Sequence, residues 1–315
     1  MIKLLFICFI LFSSVNAIEK PNAQYIASGS VTDLFYEDKK LYAATDAGTV
    51  DIFDTKTLEI LQKIKVSQIT DFMGDTIDSK IYSVDLIDKK ILVLSQGRKG
   101  ARRVHVYENN TLELVLPDTQ KLFIAKARFI DSNTLILGLL SNEIISYDIN
   151  TKKENYRVQV SQSKFSNFVL NEDKTEIVVA DESGNLKIHN TVTGELKYEL
   201  SGQNLDNVFA VDTKNGIIAT AGQDRRVVIY APQFNSAYYK TSSFLIYGVG
   251  LSPSGKRVGY SSDENNNISV FNTITKKVLG VYGGNKMTTS NILFINENDF
   301  FVSTDDNIIN QFKIK

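Results

Sequence analysis

Tryptophan is absent from this 315-residue chain, cysteine occurs once, histidine twice, methionine three times and proline four times. With Cys8 alone, neither an intrachain disulfide, nor an iron–sulfur cluster, nor thioether-linked haem can form, since each needs more than one thiol. Two isolated histidines, His105 and His189, give no His-x-x-x-His pair and no mixed thiolate set for a transition metal. A surplus of charge is missing as well. Thirty-five Lys and Arg stand against 36 Asp and Glu, a net of −1. That balance leaves no electrostatic case for nucleic acid or for an anionic membrane surface.

Long apolar runs are lacking except at the start, where Leu4 to Phe12 is unbroken. The run falls short of the roughly 20 residues that a membrane span requires. Lys3 precedes it, and Val15-Asn16-Ala17 follows with small residues at the −3 and −1 positions of a cleavage site. Residues 1–17 therefore read as a secretory signal peptide. Ile7, rather than a small residue, precedes Cys8, which argues against a lipid-anchored product. The expectation is a cysteine-free mature chain, residues 18–315, with no stable membrane insertion and most simply periplasmic.

What is present is Tyr (14), Phe (18) and a repeat. Aromatic and β-branched enrichment favours strands. The stretches TVDIFD, RVHVYE, EIISYD, NLKIHN, RVVIYA, NISVFN and IINQFK each end on a ring: Phe53, Tyr107, Tyr147, His189, Tyr230, Phe271 and Phe312. Successive rings are 54, 40, 42, 41, 41 and 41 residues apart. Three residues before every ring stands an aliphatic residue, from Val50 to Ile309, while the position two before is mostly polar. That period-2 pattern marks a strand, expected to be half-buried, and its recurrence marks a repeat architecture.

Each period also holds an earlier apolar strand (KLYAAT, KILVLS, TLILGL), a polar turn before it, and an innermost strand before that (VTDLFY, IYSVDL, AKARFI). A further strand follows the ring, as in LEILQKIKV and KENYRVQV. Four antiparallel strands per period make a propeller blade. The chain stops right after its seventh ring strand, so the outer strand of the last blade is expected from Gln24-Tyr-Ile-Ala-Ser28. The expectation is one all-β domain, a seven-bladed propeller closed by its N-terminal strand.

SPSGKRVGYSSDENNNISVFN and AGQDRRVVIYA resemble WD40-type repeats over essentially the whole mature chain. The Trp of the Trp-Asp pair is Phe, Tyr or His in every copy, and the Gly-His dipeptide is missing. The resemblance implies the blade but not the family's Asp-His-Ser-Trp hydrogen-bond network.

No constellation for catalysis, cofactor or metal emerges. Nucleophilic hydrolysis needs a base beside Ser or Cys. His189 fills the ring column and is expected in the core, and His105 is expected as an edge-exposed structural residue. Asp71, Asp75 and Asp78 lack the spacing and glycine of a calcium loop and read as solvated acids. The innermost strands show no set converging on the channel, as a propeller quinoprotein or a lactonase metal cage would require. The protein is therefore expected not to be an enzyme.

The largest break in the repeat is the spacing of 54, which holds the loop SQITDFMGDTIDS, Ser67 to Ser79. The same blade has a lengthened hairpin, QGRKGARR, with Arg98, Lys99, Arg102 and Arg103. In a propeller both loop classes leave the same face, as does the hairpin bearing Arg225 and Arg226. This face is the expected docking surface for a protein partner, with Phe72 and Met73 as apolar anchors. Mutual neutralisation of a basic hairpin and an acidic loop, an ordinary solvated surface, is the alternative.

The signal MIKLLFICFILFSSVNA, the segment YIASGSVTDLFYEDKKLYAATDAGTVDIFDT, GRKGARRVHVYE and AKARFIDSNTLILGLLSNEIISYDI resemble the NapL family. These are exported WD40-like accessory proteins encoded with periplasmic nitrate reductase in Campylobacter-type bacteria. The resemblance implies a monomeric scaffold without cofactor that supports assembly or maturation of the nitrate reductase system, in nitrate respiration. A general periplasmic or outer-membrane-assembly binding propeller is the second reading, and a channel-site hydrolase or lactonase the third.

Overall fold

Blade one shows how a period becomes a sheet. Val31–Glu37, Lys40–Thr45, Thr49–Asp54 and Ile60–Lys65 pair in chain order, each antiparallel to the one before. Asp38 and Lys39 both have positive φ, the two-residue turn whose twist matches a hairpin. Asp88-Lys89, Asn109-Asn110 and Asn215-Gly216 repeat it in later blades. Between the third and outer strands the side chain takes over. Asp54 Oδ1 accepts the N–H groups of Lys56 (2.7 Å) and Thr57 (3.0 Å), and Asp148, Asn190 and Asn272 build the same turn. Gly48, at φ +74°, turns the central hairpin where an added Cβ would lie 3.2 Å from the Ser79 carbonyl.

In the computed structural model, which describes residues 17–315, seven such sheets form a seven-bladed β-propeller. The innermost strands of blades two to seven start at Ile81, Ile124, Phe165, Val208, Val249 and Thr289. Each lies against the next, and the seventh against the first, so the ring is closed. Closure is as expected: Ala23–Ile26 pairs antiparallel with Ile308–Gln311 as the fourth strand of blade seven. Tyr25 locks it, fully buried and edge-on to Phe53 (5.5 Å) and Phe301 (5.6 Å). Its hydroxyl donates to Gln311 Oε1 at 2.9 Å, and burial pushes its pKa to about 12. The sequence gives no sign of Ile18–Glu19, which add a parallel fifth strand to blade six along Val281–Tyr282. The expected signal peptide, residues 1–17, lies outside the described residues except for Ala17. Among the described residues no helix is long and apolar enough to cross a membrane.

The ring column is packed between blades: Phe53, Tyr147, His189, Tyr230, Phe271 and Phe312 are buried, and only Tyr107 is partly exposed. The expected half-burial of these strands is corrected, because each blade is covered on both faces by its neighbours. The polar column is therefore largely interior and must be hydrogen-bonded. Asp51, fully buried, accepts from the Ser28 N–H (2.6 Å) and hydroxyl (3.0 Å), and Asn310 donates to Asn285 Oδ1 (2.7 Å). His105 is buried for the same reason, 5% exposed rather than at an edge, with Nε2 3.1 Å from Ser95 Oγ. Other residues take the place of a Trp-centred network. In blade five Asn204 donates to Tyr230 Oη (3.0 Å) and accepts from Thr220 Oγ1 (2.8 Å).

Candidate functional site

Strand order fixes what each face carries. Turns joining second to third strands, and the links between blades, all emerge at one end of the propeller. The Ser67–Ser79 link forms a small hairpin there, Ile69–Thr70 against Thr76–Ile77. Asp71 closes its tip by accepting the N–H groups of Met73 (2.8 Å) and Asp75 (2.9 Å). Asp71 and Asp78 thus have local work: Asp78 meets Lys65 at 3.4 Å and Gln68 at 3.0 Å. At the tip Phe72 is 95% exposed and Met73 72%. Both apolar side chains therefore stand in solvent on a turn fixed by hydrogen bonds. Phe123, Leu140, Leu205, Phe244 and Met287 are also exposed and lie on links or turns of this same end.

The basic residues divide. Arg98 and Lys99 are exposed on the short 3₁₀ turn Arg98–Gly100, and Arg98 meets Asp118 at 3.4 Å. Arg102 stacks its guanidinium 4.0 Å from the Tyr82 ring centre. Arg103 is buried, where it donates to the Ser67 carbonyl (2.7 Å), Ser67 Oγ (3.0 Å) and Ser79 Oγ (2.9 Å). It is a strut that fastens both ends of the Phe72 hairpin to blade two. Arg225 is exposed, whereas Arg226 lies over Tyr239 at 3.9 Å and donates to the Gln203 carbonyl. Blades two and five are three places apart round the ring, so the Arg225 turn is not continuous with the Phe72 hairpin.

The channel holds what the sequence reading missed. Counted from the start of each inner strand, two columns supply most of the residues that line the lumen, with Ser83 and Gly250 turned to the neighbouring blade instead. One carries Asp33, Ser83, Lys126, Asn167, Ala210, Gly248 and Asn291; the other carries Phe35, Asp85, Arg128, Val169, Asp212, Gly250 and Leu293. Between them lies a cavity of about 450 Å³, reaching the turn residues Glu172, Lys174 and Lys214 at the end opposite the Phe72 hairpin. The signal was there as two columns offset by two residues, but it is asymmetric: charges sit on blades one, two, three and five, and small residues on five and six.

Most of these charges brace the ring. Asp33 accepts the Val84 N–H (3.0 Å) and pairs with Arg128 at 2.8 Å. Asp85 accepts the Phe129 N–H (2.7 Å), and Asp212 the Leu251 N–H (2.8 Å), so each acid ties its blade to the next. Burial pushes the Asp85 carboxyl up, against the opposing pull of Arg128. Among the described residues the acids and histidines form no group of three that could hold a metal ion. Lys126 differs from the rest. Its Nζ has one acceptor, Asn167 Oδ1 at 2.8 Å, and lies 5.6 Å from the Phe168 ring centre. Burial, aided by Arg128, depresses its pKa to about 7.

Neither a protein-family model nor a curated protein matches the chain. The fold stands on the structure itself, and a propeller by itself names no function.

Proposed function

We propose that the protein is a non-catalytic periplasmic scaffold that docks a protein client on the end of the propeller bearing the Phe72 hairpin. Following the resemblance in its sequence, the client is a component of the periplasmic nitrate reductase system during assembly or maturation. The observation that carries the docking reading is the Phe72–Met73 tip. Its turn is closed by Asp71, its base is fastened by Arg103, and its two apolar side chains stand in solvent. A prearranged apolar tip loses little conformational freedom on binding, which is what an anchor residue needs. Arg98 and Lys99 beside it supply charge for orientation and encounter rate.

Phe72→Ser with Met73→Ser tests the anchors without disturbing the strut. Loss of nitrate reductase subunits from an affinity pull-down, with an unchanged circular dichroism spectrum, is expected; an undiminished yield overturns the docking surface. Deletion of the gene tests the client. Reduced periplasmic nitrate reductase activity or cofactor content is expected, and wild-type levels of both overturn that assignment.

A further inference from the structure

Lys126 has no part in client docking, and its surroundings are unusual for a lysine. It projects from the inner strand of blade three, Ile124–Asp131, into the lumen. One neutral amide accepts from it, an aromatic face backs it, and Arg128 follows two residues later on the same wall. The channel acids nearest in charge are Asp33, Asp85 and Asp212; the first is paired with Arg128 and all three accept backbone N–H groups of a neighbouring blade. Glu172, Lys174 and Lys214 line the cavity at its mouth. Lys126 lines the same cavity as Ala210 and Gly248, which put no long side chain into it from blades five and six.

We propose that the channel is a carbonyl-capture site in which the Lys126 amine adds to a small aldehyde and holds it as an imine. The nitrogen lone pair forms the C–N bond, the carbonyl π pair moves to oxygen, and the amine proton transfers to that oxygen to give a carbinolamine. Loss of water then leaves the C=N bond, with nothing oxidised or reduced. A lysine desolvated beside a second cation is the recognised setting for such chemistry. With its pKa at about 7, about half of Lys126 is the free amine at neutral pH, against roughly one in 3,000 for an ordinary lysine. The cavity, at about 450 Å³, lies in the range that holds small-molecule ligands.

The test uses the intact wild-type protein, propanal and sodium cyanoborohydride, which reduces an imine to a stable secondary amine. Peptide mapping by mass spectrometry follows propylation at each lysine from pH 5.5 to 9.5. Lys126 is expected to be labelled about tenfold faster than the next lysine at pH 7, with a rate that levels off above pH 7 to 8. Labelling no faster than at surface lysines, no labelling at all, or a rate still climbing at pH 9.5 would each overturn the proposal. Client binding is read at the other end of the propeller, so either reading can fail without the other.

Discussion

Replacing Tyr25 by alanine removes the one ring that the N-terminal strand contributes to the core. The side chain is fully buried between Phe53 and Phe301, both edge-on to it, and its hydroxyl reaches Gln311 Oε1. Truncating a buried aromatic costs about 3 to 5 kcal/mol, because the transfer term and the cavity term add. Tyr25→Phe keeps the ring and removes one hydrogen bond, a loss of about 1 kcal/mol. Without the ring the strand keeps its pairing with Ile308–Gln311 and the Ser28–Asp51 hydrogen bonds, so only part of the alanine penalty should appear as local release of residues 23–28. Urea unfolding followed by far-ultraviolet circular dichroism measures the global loss, and limited proteolysis with mapping of the first cut measures the release. The alanine variant is expected to lose about 3 kcal/mol and to be cut first near Ser28. If it stays within about 1 kcal/mol of Tyr25→Phe and resists protease equally, Tyr25 does not hold the ring closed.

Acid should weaken the fold through His105, whose pKa burial lowers to about 4. The unfolded chain protonates it near pH 6.5 while the folded protein does not, so stability is complete above that pH and falls as pH drops toward 4. The loss amounts to about 3 kcal/mol, and an equilibrium-unfolding series should find it smaller in His105→Gln. Leu58 sits at φ 66° where the equivalent turn of blade four uses Gly194; Leu58→Gly is expected to raise stability by about 0.5 kcal/mol, and a lowered urea midpoint would contradict it. Asp51→Ala leaves the Ser28 N–H and hydroxyl without their acceptor; a loss of about 1 to 3 kcal/mol is expected in the same assay. Phe72→Ser should change stability by less than about 0.5 kcal/mol, because a side chain 95% exposed has little packing to lose.

The blades were legible because every copy repeats a strand with its own turn chemistry. Asp54, Asp148, Asn190 and Asn272 each cap the same bend, and the rings recur at nearly constant spacing. The closing strand was legible from an arithmetic of missing partners. The depth of the polar column was not, since alternation is the same whether a strand faces water or a second blade. His105 and Asp51 look like surface residues until the neighbouring blade is in place. Arg103 reads as one more cation in QGRKGARR, and only the fold brings Ser67 and Ser79 to its guanidinium. The channel was the hardest to see, because its wall takes a few residues from each of seven distant segments and they differ from blade to blade.

The strand that closes blade seven joins residues 286 apart in the chain, Tyr25 to Gln311. A contact of that separation carries a large loop-closure cost unless the strands between are already placed, and long-range pairing of this kind is slow. Until it forms, the Ile308–Lys313 strand keeps an unpaired edge, open to pairing with another molecule. The closing strand thus lies near one end of the described chain and completes a blade built from the other. A chain whose ring is still open carries that edge, and is expected to aggregate more readily at high concentration than a closed one.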